Sequence, residues 1–465
     1  MRTLARAAVA VAIAIPLMLS TTACSQDAGG GDEAEATVVD KDVAVTLTVS
    51  NMPPAGEAEA LALWDERVAQ FEDANPGITI EGVETAWDPT TFGAQLAGGT
   101  LPTVLLLPFT ELQGLIAREQ IADITDALEE TGLTDVLNPA TLAVAQNADG
   151  RIFAVPFAAY AVGLVYNRDL FERAGLDPDV PPTTWDEVRE YAAQITAATG
   201  VAGFGQMTSK TSGGWQFTAE TYSFGGTMQS ADGKDVTFND NPAAAEFLQL
   251  LHDMRWEDQS MGSEFLYDGE EIQAAFAAGN MGMWIGAPDA YRGVVLRNKF
   301  DPEKFGAGPM PRGTEGDDFG VMAGGNSAVV SPLATPEEQL AAVKWIEFYH
   351  LAKYVDEDAA VADAQAQIAL GKAVGMPGLT AMTDEAYARY EGWIADYVNV
   401  PLENFEPYME ALPGQPLMTE PINKAQDMYF ALSTVIQTVL TDQNASMDGV
   451  LSEAASTLQS QLDRG

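Results

Sequence analysis

Two histidines, His252 and His350, one cysteine, Cys24, and 68 aspartates and glutamates are the groups in this 465-residue chain that could move protons, hold a metal or attack an electrophile. Their types and spacing exclude more than they allow. The histidines lie far apart and in no ligand pattern, so a zinc site of the Cys/His type is not expected, and a single cysteine cannot close an intrachain disulfide. A nucleophile primed by histidine is equally hard to build, because each His reads most simply as a helix-surface residue near Arg255 or Tyr349. The spacings His-Glu-x-x-His, Gly-x-Ser-x-Gly and the P-loop are absent. Gly203-Phe-Gly205 does not complete a dinucleotide fingerprint, since Thr208 stands where the last glycine belongs. Two carboxylates could still do glycosidase chemistry. None of the acids sits in a distinctive motif, and most of so many must be solvated face.

The composition supports a folded body of about two or three domains, with 47% apolar and 9% aromatic residues. Against 68 acids stand only 23 Lys and Arg, for a net charge of −45. Nucleic acid is therefore excluded as a partner, because phosphate binding needs a basic face. The N-terminus carries an address. Arg2 and Arg6 precede the apolar run Ala7–Leu19, which is too short to span a bilayer and suits a signal peptide. Ser20-Thr-Thr-Ala23 then leads into Cys24, and small residues before the only cysteine resemble a bacterial lipobox, although Thr21 stands where leucine is usual. A signal peptide over 1–23, lipidation at Cys24 and a flexible Gly/Ala/acid-rich tether over 24–42 are the expectation.

Val43–Val49 alternates as a strand. Glu57–Asp73 sets Leu61, Trp64, Val68 and Phe71 on one helical stripe, stopped by Asn75-Pro-Gly77, after which Ile78–Ile80 begins another strand. Val104–Leu107 reads as a strand of the buried parallel type, with a helix following around Leu112–Ala117. Two more strands fall within Arg151–Asn167. Capping boxes at Thr184–Glu187 and Thr335–Glu338 open helices through Ile195 and Tyr349. Met376 to the C-terminus is mostly helical, most apolar at Met428–Leu440. Strands alternating with helices indicate α/β units.

The stretch RIFAVPFAAYAVGLVYNRDLFERAGLDPDVPPTTWDE (Arg151–Glu187) resembles the bacterial extracellular solute-binding proteins of the sugar type, the maltose-binding-like family that serves ABC importers. FEDANPGITI (Phe71–Ile80), AGGTLPTV (Ala97–Val104), SFGGTMQSADGK (Ser223–Lys234), FAAGNMGMWIGAP (Phe276–Pro288) and FGVMAGGNSAVV (Phe319–Val330) support it in order. The departure is Thr103, where many relatives have Asp. The resemblance implies a two-lobed α/β periplasmic-binding-protein fold of type II, its lobes joined by crossing strands with the ligand in the cleft between them. By that likeness 43–157 plus 312–360 form the first lobe and 158–311 plus 361–465 the second.

Such a protein is not an enzyme and needs no cofactor or metal. It captures a small molecule, here a carbohydrate, and delivers it to the transmembrane subunits of an ABC transporter, as a monomer held to the membrane by Cys24. Sugar rings offer an apolar face to aromatics and a rim of hydroxyls to Asp, Glu, Asn and Gln. The candidates are Asn51 after the first strand, Trp87 on the loop before Asp88-Pro89, and Glu111 after the LLLP strand. Tyr160 in the crossing segment, Trp215 after Gly213-Gly214, Asp289 past the MWIG strand, Asn326 after Gly324-Gly325 and Tyr429 complete the set. Trp284 reads as core. A non-sugar solute (a polyol phosphate, compatible solute or peptide) is the alternative, and a glycerol-phosphate type would need Arg292, Arg312 or Lys210 in the cleft. A secreted glycoside hydrolase is the distant one.

Overall fold

The computed structural model describes residues 44–313 and 319–464. The expected signal peptide (1–23), Cys24 and the tether (24–42) lie outside the described residues. Among the described residues ten strands form two mixed sheets: β1 (Val45–Val49), β2 (Ile78–Gly82), β3 (Val104–Pro108), β4 (Ala154–Ala161), β5 (Gly163–Asn167), β6 (Ala202–Phe204), β7 (Met281–Gly286), β8 (Phe305–Gly308), β9 (Val321–Val330) and β10 (Leu417–Thr419). The six-stranded sheet runs β10-β9-β3-β1-β2 with β4 on β9, and the four-stranded sheet runs β6-β7-β5-β8.

In β1 the alternation works as read, with Val45, Leu47 and Val49 buried. It pairs in parallel with β2 along its whole length and with β3 at Val49↔Val104. The expectation of a purely parallel environment for β3 needs correcting, because its other neighbour, β9, runs antiparallel. β9 is ten residues long, so it carries β3 and then β10 along one edge and β4 along the other. β10 comes from deep in the C-terminal stretch, which was expected to be mostly helical and in which no strand was singled out.

The passage between sheets is short. β4 ends at Ala161 and β5 begins at Gly163, with Val162 alone between them, its N–H donating to Met322 O at 2.9 Å. Tyr408 fixes this crossing by donating to Ala161 O at 2.9 Å. A Cβ on Gly163 would strike that tyrosine ring and Gly308 O, so only glycine lets the strands turn here.

Helices cover the sheets. Ala58–Ala74 buries Trp64 and Phe71, which meet Trp345 of the helix Pro336–Ile346 with ring centroids 5.6 and 5.1 Å apart. Both capping boxes are present, at Thr184 for the helix Trp185–Thr199 and at Thr335. The second helix does not run on evenly to Tyr349. It opens into a π-helical turn, Glu347–Leu351, whose extra residue rotates His350 inward onto Phe157 with centroids 4.2 Å apart. His350 is thus half-buried rather than a free surface residue, and burial pulls its pKa down to about 3. His252 is also packed, its Nε2 2.9 Å from Gln443 O.

Candidate functional site

Six of the eight proposed ligand residues line one cavity of about 600 Å³: Trp87, Glu111, Tyr160, Trp215, Asp289 and Tyr429. Each is held there by local structure. Glu111 lies in the first turn of the helix Phe109–Ala117, directly after β3. Asp289 follows the end of β7, and Trp87 packs on Phe92 with centroids 4.9 Å apart just before the helix Pro89–Gly98. Trp215 stands in the first turn of the helix Ser212–Ser223. The two glycines before it let this helix lie against Ala425–Thr441, since a Cβ on Gly214 would overlap the Tyr429 backbone. Gly214 N–H also donates to Ser433 Oγ at 2.9 Å. The close approach sets Trp215 and Tyr429 side by side on the cavity wall.

The other two candidates are placed elsewhere. Asn51 is exposed at φ 65°, its side chain accepting from Ser50 Oγ at 2.9 Å, and does not line the cavity. It occupies the left-handed turn that Asn tolerates. Asn326 is exposed on β9, in register with Pro108 and Ala158, and is likewise outside the lining. Its neighbour Gly324 does matter, because a Cβ there would meet the Tyr160 hydroxyl and a Glu420 oxygen.

Glu420 was not anticipated. It follows β10 and lines the cavity, accepting the Tyr160 hydroxyl on Oε1 and the Tyr429 hydroxyl on Oε2, the latter at 2.7 Å. One carboxylate thereby ties the crossing strand β4 to the helix Ala425–Thr441. Tyr222 pins the strand beside it by donating to Thr419 O at 3.1 Å. Burial and the Glu420 charge both push the Tyr160 and Tyr429 hydroxyls upward, so they remain protonated donors. No sequence signal marked Glu420, since a three-residue strand among prolines has no readable period. Trp284 also lines the cavity while lying in the core, and its buried indole N–H has no partner among the described residues.

The lining has a single electrostatic sense. Burial raises the Glu111 carboxyl, opposed by Arg118, and surrounding protein raises Asp289, opposed by Arg292. With Glu420 they give three carboxylates, joined by Gln273 and Gln426, and no Lys or Arg lines the cavity among the described residues. Lys210 is instead paired with Asp268, and the Arg312 guanidinium lies over the Phe319 ring at 5.6 Å. Among the described residues no group of three His, Cys, Asp or Glu could hold a metal ion. Beneath the wall, buried Glu220 accepts from Gln206 at 3.0 Å and Gln216 at 2.8 Å, and burial raises its carboxyl well above the usual range. Stacking planes, hydroxyl donors and carboxylate or amide acceptors around a water-accessible space can hold a polyol ring by face and rim.

The chain is similar to a putative binding protein of Brucella abortus, 29% identical over 266 residues that cover 54% of this chain and 60% of that one. It is similar to the sn-glycerol-3-phosphate-binding periplasmic protein UgpB of Salmonella typhimurium, 25% identical over 300 residues, covering 61% of this chain and 66% of the other. The matched region spans less than two thirds of the length of these curated relatives. In fold it resembles the crystal structure of the cyclic α-maltosyl-1,6-maltose binding protein from Arthrobacter globiformis, with TM-score 0.68 and 22% identity over 90% of this chain and 99% of that one. That likeness supports the two-lobed α/β architecture expected of the sequence. The model of the bacterial extracellular solute-binding proteins matches residues 55–356, across both sheets and most of the cavity wall, and this chain belongs to that family.

Proposed function

We propose that this chain captures a neutral carbohydrate in the cavity and delivers it to the transmembrane subunits of an ABC importer, without covalent chemistry. One observation carries the choice of ligand: five aromatic side chains (Trp87, Tyr160, Trp215, Trp284 and Tyr429) and three carboxylates surround a space that no Lys or Arg lines among the described residues. Trp215 and Trp87 stack on ring faces. Glu111, Asp289 and Glu420 accept hydroxyls, and Tyr160, its proton committed to Glu420, offers its oxygen as a further acceptor. The cavity lies between two lobes, about 43–157 with 312–360 and about 158–311 with 361–465, the second lending β10 and the end of β4 to the six-stranded sheet of the first. The ligand selects the closed arrangement because only there do both lobes touch it. A lipid on Cys24 and the 24–42 tether hold the monomer outside the cytoplasmic membrane.

The UgpB relative, named for sn-glycerol 3-phosphate, suggests a phosphate ester instead. Such a ligand would bring its dianion against three carboxylates with no cation on the wall, which makes this the weaker reading.

Thermal unfolding of the untethered body, from Ala44 onward, against sugars, polyols, phosphodiesters and betaines tests the choice. Ligand at about a thousand times its Kd adds about 4 kcal/mol of stability. The expected result is a raised midpoint with one oligosaccharide or sugar group. Hits confined to phosphorylated polyols or betaines would overturn the carbohydrate reading while leaving solute capture intact.

A further inference from the structure

A second cavity, of about 720 Å³, adjoins the first, and Tyr160 and Asp289 line both. Its charge is of the other kind. Arg67, Arg292, Lys353 and Lys372 all line it, four of only 23 Lys and Arg in a chain with 68 acids. Three acids share the wall: Glu66, Asp289 and Asp363. Their neutralisation is loose. Lys353 Nζ is 3.7 Å from Asp363 Oδ2, and Arg292 has no ion pair within 4.0 Å among the described residues.

Arg292 and Lys353 are also close enough for their charges to repel, and this works with burial against the Lys353 ammonium, while Tyr354 and Asp363 more than compensate and keep it charged. Lys353 is balanced by Asp363, whereas Arg292 has no ion pair of its own among the described residues, so an anion reaching both would complete the neutralisation. The walls beside them are flat and aromatic. Tyr349, Tyr354 and the stacked pair Phe157–His350 line the space, and the Lys353 ammonium lies 5.2 Å from the Tyr354 ring centroid. His350 is neutral at ordinary pH, so it offers hydrogen bonding without adding charge.

We propose that this second cavity is a binding site for a small organic anion, its phosphate or carboxylate held by Arg292 and Lys353 and its body laid against Tyr349, Tyr354 and the Phe157–His350 stack. Arg292 begins the π-helical turn that follows β7 of the four-stranded sheet, whereas Lys353 follows the helix Pro336–Ile346 that packs on the six-stranded sheet. An anion touching both therefore bridges the two halves and biases their arrangement separately from the carbohydrate.

Calorimetric titration of the full chain with inorganic phosphate and with glucose 6-phosphate, at fixed ionic strength, tests the site. The wild type is expected to bind glucose 6-phosphate saturably, and more tightly than phosphate alone. The double variant Arg292→Gln, Lys353→Gln is expected to lose at least tenfold in affinity at an unchanged melting midpoint, while Lys353→Arg retains binding. No saturable heat in the wild type, or equal affinity in the double variant, would overturn the proposal. So would anion binding that disappears in Trp215→Ala and persists in the double variant, because the anion would then occupy the first cavity. Failure of the carbohydrate reading is seen separately, in the response of Trp215→Ala to sugars.

Discussion

Trp215 gives the cavity wall an apolar plane and Glu420 gives it a charged rim. Replacing Trp215 by Ala removes a stacking plane from a wall whose backbone is held by Gly214 and Ser433, not by the indole. Affinity for the carbohydrate should fall at least tenfold, about 1.4 kcal/mol, with the fold retained. Calorimetry showing unchanged affinity would remove Trp215 from the site. His350 makes a prediction of a different kind. Its folded pKa of about 3 lies below the ordinary value of 6.5, so the folded state resists a proton that the unfolded chain accepts. The associated loss of stability begins as pH falls through 6.5 and grows toward 3. His350→Gln should therefore show a shallower drop in melting midpoint between pH 6.5 and pH 4.5 than the wild type, and parallel pH profiles would contradict this.

At the scale of elements, legibility depended on whether the signal was local. Capping boxes, the Asn75-Pro-Gly77 stop and the alternation in β1 are chemistry within a few residues, and each appears where it was read. Three of the six candidates brought to the cavity, Glu111, Asp289 and Trp215, lie just past a strand or on a helix start. What stayed hidden was decided at a distance. β10 is a strand only because β9 is long enough to accept it, and Glu420 reaches the cavity only because β10 is there. The same holds for His350, which a π-helical turn rotates away from the face that a regular helix would give it. Asn51 shows the converse, a polar residue after a strand whose turn geometry accounts for it. The contact between the helices Ser212–Ser223 and Ala425–Thr441 is testable at this scale. Gly214→Ala places a methyl group into the Tyr429 backbone and should cost about 1–3 kcal/mol of stability, read by chemical denaturation. A loss within a few tenths of a kcal/mol would mean that the helices can separate freely.

At the scale of the molecule, the passage from β4 to β5 joins the two sheets through a single residue, Val162, braced by its hydrogen bond to Met322 and by Tyr408 on Ala161. Rotation of one half on the other must be absorbed by the few dihedrals around this crossing and by the other strands that pass between halves. Small-angle scattering should therefore record a smaller radius of gyration on addition of the carbohydrate that raises the melting midpoint. An unchanged radius with saturated ligand would exclude closure as the mode of capture.

The late position of Glu420 and Tyr429 has a consequence for the protein's biogenesis. A ribosome emits this chain from one end, and the carboxylate and phenol that tie the cavity wall together belong to its last tenth. Until β10 has docked on β9, the Tyr160 hydroxyl lacks its acceptor and the wall is unfinished. A chain that lacks β10 and Glu420 should therefore fail to bind its solute, so that binding competence follows the docking of β10 on β9.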